Sequence, residues 1–432
     1  MPVPIRIQLT LLLLGLTLLS RPALAGDDGS PEVARPPALR RLVETALEKN
    51  PRLLAARSRV EMLEQRAKQE GAWDDPAFGV DIERTSTKFN DYHDAEFSLS
   101  QRAPLTGKNR LKERIGYFEA GLAEQELRRS ELDMAARVES AWYQLAGLDA
   151  RLQENASASD ILEKLRDVQD ARAQTEAKLQ PGLARVQMEI AMLKEQRATL
   201  AELRESTMAE LNSLLNREGD APLAEVEAAT AANLTALPEH EKADTWQAIA
   251  LQSRPEIQAA DLQAQGADLA LTLARRERLP DPEFRVEARR LDGERGIHEY
   301  DTGIFFTLPW ANPGKYRAKE QERDAGLEMA RQEAAAARLE TRGLVGVALA
   351  EVRAARHHAE IYDTEIIPAA QRSLDLLRAG YDSSQTDIQD VLMAGSTLRD
   401  AQAQHWERLA AYWKARAQLK ALTGAEEVSV KP

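Results

Sequence analysis

Two short pairs of residues, His93-Asp94 and His298-Glu299, place an imidazole next to a carboxylate. Such a pair can make weak contacts with soft or borderline metal cations. Two ligands without a third do not fix a coordination geometry. The sequence therefore predicts weak cation contacts at these pairs, but no dedicated metal site and no cofactor.

Motifs for catalysis are missing from the sequence, which has no HExxH, no phosphate-binding glycine loop and no GxSxG. With six histidines and no cysteine, nucleophilic or zinc catalysis has little to work with. The lack of cysteine also excludes disulfides, thiolate metal sites and an acylated N-terminal cysteine. We therefore expect no enzyme.

A further group of polar residues lies in the segment AGYDSSQTDIQDVL, residues 379–392. Ser384 can cap a returning helix, and Asp387 follows three residues later in an arrangement close to a capping box. A carboxylate at Asp387 also suits the helix dipole, which favours a structural role. Asp390 lies one turn further on the same face. A trimer would bring three copies of Asp390 together at a tapered end; the alternative is a solvated surface carboxylate.

The composition is typical of long helices or coiled coils: the 432 residues are 43% hydrophobic, 29% charged and only 5% aromatic. The net charge of -13 argues against nucleic acid as a partner, because phosphate binding needs a basic surface. This charge is compatible with cationic cargo, and equally with an ordinary soluble acidic protein.

The N-terminus predicts export. Residues 1–25 contain a basic residue (Arg6), an apolar run from Leu9 to Leu19 and the sequence ALA before Gly26, which is typical of a signal peptide cut after Ala25. No later stretch reaches about 18 consecutive apolar residues, so we expect no transmembrane helix in the mature chain.

Internal repeats indicate a duplicated unit, because four motifs return in the same order 204 to 207 residues later. We predict two structural repeats, residues 26–216 and 245–424, joined by an equatorial segment at 217–244 and followed by a tail at 425–432. The motif pairs are ALEKNPRLLAA and ALQSRPEIQAA, DPAFGV and DPEFRV, HDAEFSLSQRAPL and HEYDTGIFFTLPW, and TGKNR and PGKYR.

Each repeat reads as a helix, two strands, a Pro/Gly turn, a very long helix and a shorter returning helix. The first long helix should stop at the breaker pair Pro181-Gly182, and the second should kink at Pro368. The predicted strands span about 77–84, 95–103, 283–290 and 300–308. The predicted helices span about 39–70, 108–180 and a return to about 216 in the first repeat, and 246–279, 315–379 and 386–422 in the second.

Helices of this length need partner helices, and coiled-coil packing would provide them. The helices alone do not tell whether the protein is a channel or a periplasmic spacer. The strands carry more information, because they alternate apolar and polar residues as the strands of an outer-membrane barrel do. Four strands cannot close around a lumen, and an open edge in lipid leaves backbone groups unsatisfied. Three copies would supply twelve strands and close by cyclic symmetry. A small soluble sheet capping a coiled coil is the alternative.

These features together resemble the TolC-type outer-membrane efflux family. The resemblance rests on the duplicated plan, on Asn50-Pro51, on SLSQRAPLTGKNR after the second strand and on AGYDSSQTDIQDVLMAGSTLRDAQ in the returning helix. It covers nearly the whole mature chain. The segments LPWANPGKYRAKEQE and DPEF are most similar to the heavy-metal (CzcC/CusC-like) branch, although the acylated cysteine of many metal-efflux relatives is missing here.

The resemblance implies a mainly α chain with a small β part. It implies a homotrimer whose twelve-stranded barrel lies in the outer membrane and continues as a periplasmic α-helical barrel. It also implies a periplasmic adaptor protein and an inner-membrane RND pump as partners. The rival interpretations are a periplasmic coiled-coil adaptor or scaffold, and a duct for protein secretion.

The resemblance further assigns a gate at the periplasmic tip. Asp390 matches an acidic position of relatives and Tyr381 an aromatic of the constriction, with Asp387 nearby. The family's second acidic position is Met393 here, which puts a gate of two rings in doubt. The tips that would meet the adaptor contain Leu179, Pro181, Gly182, Gly380, Ser383 and Ser384. The His93, Asp94, His298 and Glu299 pairs would lie at the outer mouth.

Overall fold

The structure is a computed structural model that describes residues 35–83, 94–174, 180–223, 234–235, 237, 242–290, 296–297, 299–383 and 385–424. The predicted signal peptide, the C-terminal tail and most of the predicted equatorial segment lie outside these residues.

The described chain is mainly helical with one small sheet, as the sequence predicts. The same order of elements occurs in both halves. The first half contains α1 (Pro37–Lys49), α2 (Pro51–Gly71), β1 (Ala77–Glu83), β2 (Asp94–Arg102), α3 (Lys108–Ala173) and α4 (Gln180–Leu214). The second half contains α5 (Ala243–Ser253), α6 (Pro255–Arg276), β3 (Pro282–Arg290), β4 (Glu299–Phe306), a 3-10 turn (Pro309–Ala311), α7 (Pro313–Ile361), a π-helical turn (Tyr362–Ile366), α8 (Ile367–Asp382) and α9 (Ile388–Thr423).

The sequence predicts one continuous helix at the start of each half. This prediction is wrong, because the structure has two consecutive helices in its place. The breaks fall at Asn50 and Arg254, each of which precedes a proline and has an extended backbone. Proline disfavours the helical conformation of the residue before it, which explains both breaks. Pro51 and Pro255 then open α2 and α6, at positions where a missing N–H costs nothing.

The predicted stop at Pro181-Gly182 is also wrong. α3 ends at Ala173, and the returning helix α4 begins at Gln180, so that Pro181 and Gly182 lie in its first turn. Proline there starts a helix, since the first N–H groups have no intrahelical partner.

The kink predicted at Pro368 corresponds to a local change of helix type. The π-helical turn at residues 362–366 separates α7 from α8 immediately before this proline. A single wide turn of this kind accommodates a residue that cannot donate to the preceding turn. The buried His405 of α9 hydrogen-bonds the backbone at Ala359 next to this turn, and burial lowers the pKa of its imidazole.

The sheet has the order β1-β2-β3-β4, with all neighbours antiparallel. The central pair joins the two halves, because β2 of the first half pairs with β3 of the second over Ala95–Arg102 and Glu283–Arg290. β1 and β4 are the two edges. All four strands connect to the helices at the same end of the sheet, which we call the helical end.

The 66-residue helix α3 is the central element of the helical part. It is about 100 Å long at about 1.5 Å per residue. It packs along α2, α4, α6 and α9, while α7 packs along α6 and α9. The main core lies midway, where Trp142 and Tyr143 of α3 meet Tyr412 and Trp413 of α9. The Trp413 indole donates to the Leu234 carbonyl at 2.9 Å, which ties the segment between the halves to this core.

Candidate functional site

The ends of the two long helical hairpins lie side by side and form one tip. A buried cluster joins α3, α4 and α9 there, and Tyr381 at the end of α8 packs against it. The ion pair between Arg399 and Glu189, at 2.7 Å, fastens α9 to α4 just behind the cluster. The cluster consists of Leu162, Val186, Ile190, Leu193, Ile388 and Leu392.

Tyr381 is fixed by a hydrogen bond between the hairpins. Its hydroxyl accepts from the Gln169 amide at 2.7 Å, and Gln169 is almost completely buried. The two side chains also line a cavity of about 580 Å³ between α3, α8 and α9. Sequence reasoning missed Gln169, because a glutamine within a helical pattern has no signal that distinguishes it from a surface residue.

Asp387, and not Ser384, occupies the N-cap position of α9. The Asp387 carboxylate accepts from the Gln389 backbone N–H at 3.4 Å, and the helix begins at Ile388. The cap predicted at Ser384 is therefore wrong, since the helix starts three residues later. The structural role predicted for Asp387, a carboxylate at the positive end of the helix dipole, is confirmed.

Asp390 lies in the first turn of α9 and its side chain is exposed. Met393, one turn further, is also exposed, at 62%. The carboxylate of Asp390 is therefore available to solvent or to another chain. Because residue 393 is methionine, this position has no carboxylate that could form a second acidic ring with its copies in other chains.

Of the residues predicted at the adaptor-docking tips, Pro181, Gly182, Gly380 and Ser383 lie in the described part, whereas Leu179 and Ser384 do not. The two tips touch, since a Cβ added at Gly182 would lie 3.1 Å from Ile388. A Cβ at Gly380 would lie 2.2 Å from the Thr386 hydroxyl, so the end of α8 packs closely against the Thr386 side chain.

One face of the sheet is apolar and largely exposed. Phe78 is 68% exposed and stacks on Phe97 with ring centroids 6.5 Å apart. The register aligns the apolar residues across all four strands, so that they form one continuous surface. Its members include Phe78, Val80, Ile82, Leu99, Phe284, Val286, Ile304 and Phe306.

The opposite face is charged. Arg285 contacts Glu283 at 3.3 Å and Glu287 at 3.5 Å, and its guanidinium lies 4.4 Å from the centre of the Phe305 ring. Arg289 pairs with Glu96 at 3.0 Å across the two halves. These charge pairs were not predicted residue by residue, because the pair between Arg289 and Glu96 depends on the pairing of β2 with β3.

The predicted cation contacts are only partly described. His93 and His298 lie outside the described residues, and Asp94 is described only by its backbone, which pairs with Glu83. The Glu299 carboxylate lies 3.8 Å from Arg289, so it already has a cationic partner. Within the described ranges, no group of three or more histidine and acidic side chains could hold a metal ion.

None of the described helices has an apolar stretch long enough to cross a membrane.

Comparison with known proteins places this fold among outer-membrane channels. The chain resembles VceC of Vibrio cholerae (16% identity, TM-score 0.72, 89% of this chain and 96% of that one) and the open state of MtrE of Neisseria gonorrhoeae (17%, 0.75, 90% and 89%). It also resembles CusC (15%, 0.72, 89% and 92%). At these identities the likeness shows the fold. No curated protein matches the sequence.

Part of the sequence also matches a known family. Residues 246–425 match the family described as "Outer membrane efflux protein". The resemblance to TolC-type outer-membrane efflux proteins that the sequence motifs indicate is thereby confirmed. Channels of this family are non-enzymatic transport proteins.

Proposed function

We propose that the protein is the outer-membrane channel of a tripartite efflux system and that it passively exports substrates from the cell. It resides in the outer membrane and extends into the periplasm. The observation that carries the proposal is the two-faced sheet on a scaffold of very long helices. The family match of residues 246–425 supports the same conclusion.

The exposed apolar face requires a non-aqueous environment. A continuous patch of phenylalanine, valine, leucine and isoleucine would promote aggregation in water. An apolar face opposite a charged face is what a strand needs between lipid and a water-filled lumen. Lipid on the Phe78 side and water on the Arg285 side satisfy both faces.

The two free edges, β1 and β4, require further copies of the chain. Backbone groups left open in lipid cost several kcal/mol each, so the sheet must close. Because the four strands alternate in direction, β4 of one copy can pair with β1 of the next in the same antiparallel pattern. Three copies give a closed barrel of about twelve strands with cyclic symmetry.

We propose that each copy is built from the two structural repeats predicted from the sequence, and that the helices of three copies form a periplasmic tunnel. Its tip, with Pro181, Gly182, Gly380 and Ser383, would dock a periplasmic adaptor linked to an inner-membrane RND pump. Within this scheme Asp390, Asp387 and Tyr381 form the gate: Asp390 supplies the ring of charge, Asp387 the helix cap and Tyr381 the bond to Gln169.

Heavy-metal cations are the finer proposal for the substrate. It rests on the similarity of LPWANPGKYRAKEQE to the heavy-metal branch and on the net charge of -13. A secretion duct and a periplasmic scaffold are the competing functions. The exposed apolar sheet face argues against a water-soluble scaffold, and the metal sensitivity of a deletion strain distinguishes metals from other cargo.

The gate is tested by changing Asp390→Ala and recording single channels in planar bilayers. Three carboxylates at a constriction attract cations and narrow the pore. We expect a larger conductance and a weaker preference for cations. Asp390→Asn should lose the cation preference while keeping the side-chain volume.

The matched control is Asp400→Ala, which removes an exposed carboxylate further along the same helix. It should leave conductance and selectivity unchanged. If Asp390→Ala and Asp400→Ala channels both behave like the wild type, Asp390 is not part of the gate.

A further inference from the structure

Five exposed basic residues lie at the helical end of the sheet. Arg110, Lys112 and Arg114 belong to the first two turns of α3, and Lys315 and Arg317 to the first two turns of α7. We call these five residues the basic band. They belong to the repeated segments TGKNR and PGKYR and their continuations, so both halves place cations at the same level of the fold.

Ion pairs hold two neighbouring lysines but not the basic band, in which Lys315 lies 5.8 Å from the centre of the Tyr316 ring. The Lys108 ammonium donates to the Leu279 carbonyl at 2.6 Å and pairs with Asp281 at 2.7 Å, and Lys319 pairs with Glu277. By contrast, no ion pair joins a residue of the basic band to any acidic side chain in the described part of the chain.

Helix stability does not explain the basic band either. Cations near the start of a helix oppose its dipole, and two like charges four residues apart, as at Arg110 and Arg114, repel each other. Neither α3 nor α7 has an acidic residue in its first turn to offset this. In a chain of net charge -13, a local excess of exposed cations with these disadvantages points to an external anion.

The surroundings of the basic band indicate where that anion lies. Trp73 follows α2 and Trp310 follows β4 at the same end of the sheet, and they are 58% and 62% exposed. Leu105, which follows β2, and Leu308, which follows β4, are also exposed. Exposed tryptophans between an apolar surface and a charged one are typical of the headgroup level of a bilayer.

We propose that the basic band binds the headgroups of anionic phospholipids in the periplasmic leaflet. This inference rests on the proposed function, because the sheet must span the membrane for the basic band to reach the headgroups. Basic residues just outside a membrane-embedded segment attract anionic lipids within a Debye length of the surface. The lipids would thereby fix the depth of the barrel in the membrane.

Quenching of tryptophan fluorescence by brominated lipids tests the proposal on the full mature chain. Of the six tryptophans, Trp142, Trp246 and Trp413 are buried and Trp406 packs against the core, so quenching reports on Trp73 and Trp310. We expect brominated phosphatidylglycerol to bind at least about threefold more strongly than brominated phosphatidylcholine, with a preference that falls as salt increases.

Replacing four residues, Arg110→Gln, Arg114→Gln, Lys315→Gln and Arg317→Gln, should reduce this ratio to about one. The matched control changes four exposed cations further along the helices: Lys194→Gln, Arg197→Gln, Arg331→Gln and Arg342→Gln. It should keep the wild-type ratio. A second variant that exchanges arginine and lysine at the four band positions should also keep it.

The outcomes separate the two proposals. Strong quenching by both lipids with a ratio of one in the wild type would overturn the basic band as a lipid site and leave the membrane-spanning sheet intact. The same holds if the band variant and the control lose the preference equally. No quenching by either lipid would overturn the membrane placement of the sheet and this inference with it.

Discussion

Asn50 shows how a single residue can hold a helix break in place. Its side-chain oxygen accepts from the Arg52 N–H at 3.0 Å and caps α2, while its amide donates to the Leu214 carbonyl at the end of α4 at 2.9 Å. The residue is 5% exposed. In the second half, the buried Arg254 lies at the corresponding break and donates to the Thr341 hydroxyl at 3.0 Å.

Replacing Asn50→Ala should lower the free energy of unfolding by about 1–3 kcal/mol, because it removes a helix cap and leaves a buried carbonyl without its donor. The shift in thermal midpoint of the detergent-solubilised protein measures the loss. Asn312→Ala is the matched control, since Asn312 is also an N-cap residue but its side chain makes no capping bond. Equal shifts for the two variants would contradict the role of Asn50.

Residue roles were predictable from the sequence only where local chemistry determines them. The sequence predicted that the carboxylate of Asp387 suits the start of a helix, and the structure has it as the cap. It predicted Ser384 as the cap and Asp387 as its capping-box partner, which was wrong, because serine and aspartate both have side chains suited to a cap. Gln169 was not predictable, since its partner Tyr381 is 212 residues away.

At the scale of elements, the close contact of α2 with α3 depends on a glycine. A Cβ added to Gly116 would lie 2.8 Å from the Cα and Cβ of Ala67, which is completely buried. Both contacts belong to atoms that cannot rotate away. The two helices can therefore keep their present separation only with glycine at position 116.

The change Gly116→Ala should destabilise the protein by about 1–3 kcal/mol, because the helices must separate to admit the methyl group. Gly326→Ala in α7 is the control, since no atom lies within 4 Å of the added Cβ. It should be neutral or stabilising by up to about 1 kcal/mol through higher helix propensity. Thermal unfolding followed by circular dichroism compares the two. A stable Gly116→Ala variant would show that α2 and α3 are not held this close.

Most elements follow from periodicity, whereas their ends and their pairing do not. The helices, strands and their order were predictable because each has a long, regular pattern. The breaks at Asn50 and Arg254 had a local signal, the following proline, that the helical pattern outweighed. The pairing of β2 with β3 could not be predicted from either strand, because it joins residues about 190 positions apart and depends on how the two halves pack.

At the scale of the whole molecule, a single copy of the chain leaves three surfaces uncovered. The apolar sheet face, the two open strand edges and the basic band each need a partner outside the chain. In the proposed assembly, lipid chains cover the apolar face, sister copies close the strand edges and lipid headgroups bind the basic band. Assembly in a membrane therefore matters more to the proposed function than any one residue.

The most direct test is the solubility and mass of the purified mature protein. We expect it to fractionate with the outer membrane, to require detergent for extraction and to have about three times the mass of one chain by light scattering corrected for detergent. The trimer should dissociate only on heating. A monomer that stays in solution without detergent would contradict the account, because nothing would then cover the apolar face or close the edges of the sheet.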